Sequence, residues 1–216
     1  MNPNAYDYWL GPDSTQQWLE DKTFRNETIQ DAWRDARRLG KNYVRIYDSD
    51  RNVVSEGYVI PVGDILYVVP EGVVAPKFQL NDGGRAAAGY TGETGDCVTR
   101  AIAIATGIPY REVYTAMNAL GKAERPRKKG SRSTARTGVY RKTYEKFLFE
   151  HDWTWVPTMS IGSGTQVHLR EGELPQGRII AQVSKHICAV IDGVIHDTHD
   201  PSRYGMRCVY GYYVKK

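Results

Sequence analysis

The stretch Glu93–Gly107, "ETGDCVTRAIAIATG", decides how the rest of the chain is organised. From Cys97 onward it reads as a helix. Val98, Ala101, Ile102 and Ala105 fall on one face, and Ala103 and Ile104 carry the apolar surface most of the way round. A helix apolar on all sides is a buried one, so other elements must cover it. Asp96 stands where a helix N-cap belongs, with Gly95 before it, which puts Cys97 in the first turn. The thiol is then either a small apolar filler or a reactive group at a helix N-terminus.

The covering elements follow in the chain. "PYREVYTAMNALG" is a second helix, with Pro109 near its start and Gly121 after its end. "GVYRKTYEKFLFEHDW" is a third, with Val139, Tyr140, Thr143, Tyr144, Phe147 and Leu148 as its stripe. Beyond it the chain turns β-rich: "WTWVP", "QVHL", "RIIAQV", "HICAVI", "VIHDT" and "RCVYGYYV". Helices first and an antiparallel sheet afterwards make an α+β domain over 76–216. Ahead of it, residues 1–75 are expected to form a small α+β module. Its helix would carry Ile29, Ala32, Trp33, Ala36 and Leu39 on one face. A hairpin turning at Ser49–Asn52 and a third strand, "DILYVVP", would follow. The Gly-, Pro- and Ala-rich stretch between the two reads as a linker that becomes an ordered approach loop.

Bulk properties narrow the function classes. The chain has 216 residues and a net charge of +4. No run of apolar residues approaches the roughly 18 of a membrane span, so no membrane partner is expected. The beginning, "MNPNAYDYWLGPDS", lacks a basic segment followed by an apolar one, so no secretory signal is expected either. Three widely spaced cysteines make no disulfide framework, which fits a reducing, cytoplasmic setting. Charge is uneven: Lys122–Lys146 holds ten basic residues against Glu124 and Glu145, a net +8 that leaves −4 for the rest. Such a loop is a candidate contact for an acidic partner or nucleic acid.

"SKHICAVIDGVIHDTHD" (184–200) supplies the partner for the thiol. Asp192-Gly193 between two apolar runs is a type I′ hairpin signal. The turn sets the register: Ile191 opposite Val194, Val190 opposite Ile195, Ala189 opposite His196. Alternation then puts His186, Cys188, Asp197 and His199 on one face and His196 on the other. Asp197 lies diagonally from His186, close enough for a carboxylate to fix an imidazole. A thiol at a helix N-terminus beside an imidazolium becomes a nucleophile, and the free first-turn N–H groups await an oxyanion. Cys97, His186 and Asp197 are the parts of a thiol acyl-transfer site.

The order Cys97, His186, Asp197, with the cysteine opening a buried helix and the other two on later strands, resembles the papain-like cysteine peptidase superfamily. Its compact bacterial and phage branches, including the bacteriocin-processing peptidases, are nearest in size. The resemblance covers about Leu80 to Lys216 and lies in topology more than in local sequence. It implies a peptidase or isopeptidase in which Cys97 attacks, His186 shuttles the proton and Asp197 orients His186. It further implies a protein or peptide substrate and no cofactor or metal. The local context "TGDCVTR" departs from the papain signature. No Gln lies between Gln79 and Cys97, so the second oxyanion donor stays open among Gln79, Asn81 and Thr94.

Rival readings use the same residues. His186, Cys188, Asp197 and His199, with Cys208, have zinc-ligand chemistry but no metal-motif spacing. The basic loop, followed by Tyr140 and Tyr144, has the composition of a nucleic-acid contact. Transfer of the acyl group to an amine, as in transglutaminases, would share the first half-reaction.

Overall fold

A computed structural model describes residues 7–11, 24–25, 43–47, 53–62, 65–70, 72–126, 132–160, 162, 164 and 166–216. The chain divides into two units, Met1–Val74 and Ala75–Lys216. Within the first, β1 (Asp7–Gly11), β2 (Phe24–Arg25), β3 (Tyr43–Tyr47), β4 (Val53–Val62) and β5 (Ile65–Val69) make an antiparallel sheet of order β2-β1-β3-β4-β5. The hairpin and third strand expected from sequence are β3, β4 and β5. Strands β1 and β2 are additions to that expectation. The expected helix over Ile29–Leu39 and the turn at Ser49–Asn52 lie outside the described residues.

The second unit runs β6 (Lys77–Leu80), α1 (Cys97–Thr106), α2 (Tyr110–Ala123), α3 (Arg141–Glu150), β7 (Trp153–Pro157), β8 (Arg178–Val183), β9 (His186–Ile191), β10 (Val194–Asp197) and β11 (Val209–Lys215). Three helices and a six-stranded sheet of order β6-β10-β9-β8-β11-β7 make it an α+β domain. The sheet is antiparallel except at one edge, where β6 pairs with β10 in parallel, Asp197 opposite Leu80. This corrects the sequence reading of 70–95 as linker and loop. All four residues of β6 are exposed, and the polar–apolar alternation of Lys77, Phe78, Gln79 and Leu80 spans only the shortest length at which a strand is recognised, inside a Gly- and Pro-rich stretch. The expected strand "QVHL" shrinks to a bridge between His168 and Cys208.

Helix α1 packs on β8, β9 and β10 and against α2. Its Val98, Ala101, Ile102 and Ala105 join Val113, Met117, Leu148, Ile180, Ile187 and Ala189 in one core. The alternate residues Ile179, Ala181, Val183, Cys188, Val190 and Ile195 point to the other side of the sheet, into a second core with Leu169 and Leu174. A sheet buried on both faces needs apolar residues at nearly every position, which is why β9 and, apart from Gln182 at the cleft, β8 read as nearly continuous apolar runs. Gly121 is a correction: α2 continues through it to Ala123. A Cβ there would sit 2.1 Å from the Ser133 carbonyl oxygen, so the glycine serves close approach of the following loop rather than helix termination.

The hairpin β9–β10 has the register set by its turn, Ile191 opposite Val194 and Ala189 opposite His196. Asp192 (φ 48°) and Gly193 (φ 78°) both adopt the left-handed conformation that a type I′ turn requires. His186 opens β9 and Asp197 closes β10. In an antiparallel pair those positions share one end of the sheet, and the β9–β10 ladder stops short of them, at Ala189 and His196.

Candidate active site

At that end of the sheet stands the N-terminus of α1. Asp96 occupies the N-cap position, and its carbonyl accepts from the Arg100 N–H at 3.1 Å. Its side chain makes no capping hydrogen bond, contrary to the simplest expectation for this residue. The carboxylate is 1% exposed and turns inward, to the Arg100 guanidinium, the Tyr110 hydroxyl and Arg85 Nε. Burial, then the Asp96 hydrogen bond and charge, push the Tyr110 hydroxyl well above its ordinary range. With no side-chain cap taking them, the first-turn N–H groups remain available to an incoming oxygen.

The approach loop is pinned in place. Asp82 accepts from the N–H groups of Gly84 (2.9 Å) and Ala86 (2.8 Å). Arg85 donates to the carbonyls of Thr91 (3.0 Å) and Gly92 (2.7 Å). Gly95 N–H and Thr94 Oγ1 both donate to the Arg136 carbonyl, at 2.8 and 2.6 Å. The segments on either side of Cys97 are therefore held before any substrate arrives.

Cys97, His186 and Asp197 come together. His186 Nε2 and Asp197 Oδ2 are 2.6 Å apart, which leaves Nδ1 as the ring nitrogen for the Cys97 thiol. Burial alone would lower the imidazole pKa. Hydrogen bonds that the ring donates to Asp197 and Cys97, and the charges of those two groups, outweigh it and raise the value to about 9. Burial acts on Asp197 in the opposite sense to its partners. The His186 hydrogen bond and charge, the Thr198 N–H and the Arg100 charge hold its carboxyl below the ordinary carboxylate value. The imidazole thus stands between two groups that favour its protonated form.

Cys97 and His186 line one cleft of about 420 Å³, together with Tyr144, Gln182, Arg141 and Lys185. Tyr144 donates to Gln182 Oε1 at 3.3 Å, and burial lifts its hydroxyl to about 12. Gln182 and Arg100 were not singled out by the sequence reading, and Tyr144 entered it only as part of a helix stripe and of a candidate nucleic-acid contact. Arg100 carried a signal, as the one charge within an otherwise apolar helix. None of the three residues left open as second oxyanion donor borders the cleft. Gln79 lies exposed on β6, opposite His196. Asn81 accepts from Gly83 N–H (2.8 Å) and lies 3.3 Å from His196. Thr94 is committed to Arg136.

The rival metal-ligand set separates. Cys188 is fully buried in the second core, and burial pushes its thiol well above the ordinary value. His186, Asp197 and His199 do offer donor atoms within 4.8 Å of one another. The carboxylate, however, already faces the Arg100 guanidinium at 3.2 Å, a positive charge that opposes a metal cation there. Of the basic segment, Arg127, Lys128 and Lys129 lie outside the described residues, while Arg132, Arg136, Arg141 and Lys142 are exposed. No helix among the described residues is long and apolar enough to cross a membrane. No protein-family model matches this chain, and neither does any curated protein or solved structure, so its own geometry carries the assignment of an α+β fold with a Cys-His-Asp cluster in a surface cleft.

Proposed function

We propose that the protein is a cysteine-dependent acyl hydrolase of the papain-like kind, acting on peptide or isopeptide bonds. The observation that carries this reading is the convergence of a helix-start thiol and an imidazole on one cleft, with the imidazole 2.6 Å from a buried carboxylate behind it. Cys97 sulfur attacks the carbonyl carbon, forming a C–S bond and an oxyanion beside the first-turn N–H groups of α1. Collapse breaks the C–N bond, and the departing nitrogen takes the proton from His186 Nδ1. His186 then deprotonates a water that attacks the thioester, releasing a carboxylic acid and regenerating the thiolate. Asp197 keeps the ring oriented throughout and stabilises its charged form.

The cleft suits an acidic stretch of polypeptide. Arg141 and Lys185 line it, and among the described residues no Asp or Glu does. Cys97, Cys188 and Cys208 form no disulfide with one another, which leaves the Cys97 thiol available as a nucleophile. The test is incubation with a peptidyl vinyl sulfone followed by intact mass. One adduct on Cys97, lost in Cys97→Ala, is the expected result, and an adduct distributed over all three cysteines would overturn the reading. Adding a primary amine during turnover separates hydrolysis from acyl transfer, since transfer yields an amide product in place of the acid.

A further inference from the structure

Arg100 is the single charged residue of α1 and is only 7% exposed. Its guanidinium forks between two carboxylates. One nitrogen donates to Asp96 Oδ1 and the other to Asp197 Oδ1, at 3.2 Å. Asp96 immediately precedes the proposed nucleophile, and Asp197 holds the proposed base. A planar fork bridging two acids is a task for which Lys is no substitute. Its third nitrogen, Nε, is buried without a hydrogen-bond partner. A buried ion pair is weak evidence for stability, because well-packed apolar residues often do as well, and an unmade buried N–H is a further cost. Stability alone therefore gives a poor account of this residue.

Geometry gives a better one. Asp197 Oδ1 accepts from Arg100 and, at 2.7 Å, from Thr198 N–H, while Oδ2 faces His186 at 2.6 Å. With Oδ1 engaged from two sides, the carboxylate cannot turn Oδ2 away from the imidazole. We infer that Arg100 is a positioning residue, which locks the Asp197 carboxylate toward His186 and ties it to the residue before Cys97. Arg100 thereby bridges 97 positions of sequence to Asp197 and sets the thiol on α1 and the acid on β10 at a fixed separation. The inference rests on the proposed function for its catalytic meaning, but its test does not require turnover.

The ionisable groups about His186 are Cys97 on α1, Asp197 on β10, His199 beyond β10, and Tyr144, Lys185 and Arg141 at the cleft, the last paired with Glu145. Arg100 reaches it only through Asp197. This makes the sign of its removal decisive. As a mere nearby cation, Arg100 opposes the imidazolium, and its loss would raise the His186 pKa. As the lock on Asp197, its loss releases the carboxylate, and the His186 pKa falls from about 9 toward its ordinary 6.5. The experiment is an NMR titration of the His186 ring in the full chain, assigned with His186→Gln, in wild type, Arg100→Gln and Arg100→Lys. The expected result is a downward shift in both variants, with Cys97 alkylation by iodoacetamide at pH 7 slowed roughly 10-fold. An unchanged or raised titration in folded protein would overturn the proposal, including the case in which only the melting temperature drops. Should Arg100→Gln fail to fold, Arg100→Lys keeps the charge and decides the question alone. Retention of the peptidyl adduct in Cys97→Ala would overturn the catalytic reading and leave this titration untouched.

Discussion

Cys97 and Cys188 lie on opposite sides of one sheet, and their surroundings differ in almost every respect that matters to sulfur. Cys97 borders the helical core, half-exposed at a helix start and beside an imidazole. Cys188 is 1% exposed among Leu169, Ala181, Val183 and Ile195, and burial holds its thiol protonated. The helix side of the sheet admits buried charge, in Asp96, Arg100 and Asp197, because each has an ionic partner. The far side admits an apolar filler. The comparison teaches that the neighbours, and not the residue type, separate a nucleophile from packing.

The largest effect expected from this contrast is on covalent capture. Cys97→Ala should reduce reaction with a peptidyl vinyl sulfone by roughly 10³-fold or more, while Cys188→Ala leaves it within about twofold. Equal losses would erase the distinction. Next comes stability: Cys188→Ser places a hydroxyl in an apolar core and should cost about 2 kcal/mol in urea denaturation without altering the capture rate. The pH dependence sharpens the contrast further. His186 is raised from 6.5 to about 9, so its pairing contributes stability in full below 6.5 and loses it as pH climbs through 9. Asp197 is depressed below 3.8, so its contribution is present above that value and lost as pH falls through the folded pKa. The rate of acylation should decline above pH 9, where the imidazolium loses the proton needed by the leaving nitrogen, and His186→Gln should remove that limb. Smallest is the charge effect. Arg141→Gln with Lys185→Gln should slow cleavage of acidic peptides by about threefold and flatten its dependence on salt, with neutral peptides unaffected.

Much of this architecture was legible before any coordinates. The apolar periodicity of 97–106 located a buried helix, and the Asp-Gly pair at 192–193 set the register that brings His186 and Asp197 to one end of the sheet. What escaped the sequence did so for physical reasons. Strand β6 is an exposed edge of only four residues, and its brief polar–apolar alternation is lost among the Gly and Pro around it. Alternation also grouped Cys188 with His186 and Asp197, because it assumes a regular ladder. The β9–β10 ladder ends at Ala189 and His196, so no cross-strand partner fixes His186 against Asp197 there, although His186 still pairs with Val183 on β8 and Asp197 with Leu80 on β6. Asp96 sat at a cap position, yet a buried arginine one turn on outcompeted the helix N–H groups for its carboxylate. The arginine's other partner is far away in sequence, and no local pattern announces such a link. Gly121 read as a helix end because the carbonyl that excludes a side chain comes from a different segment.

The central claim is that His186 activates Cys97, and the rate of Cys97 alkylation by iodoacetamide at neutral pH, in wild type and in His186→Ala, tests it most directly. The account expects rapid modification of Cys97 in the wild type and a fall of roughly 100-fold in the variant, with Cys188 unmodified in both. Equal rates in the two proteins would contradict it.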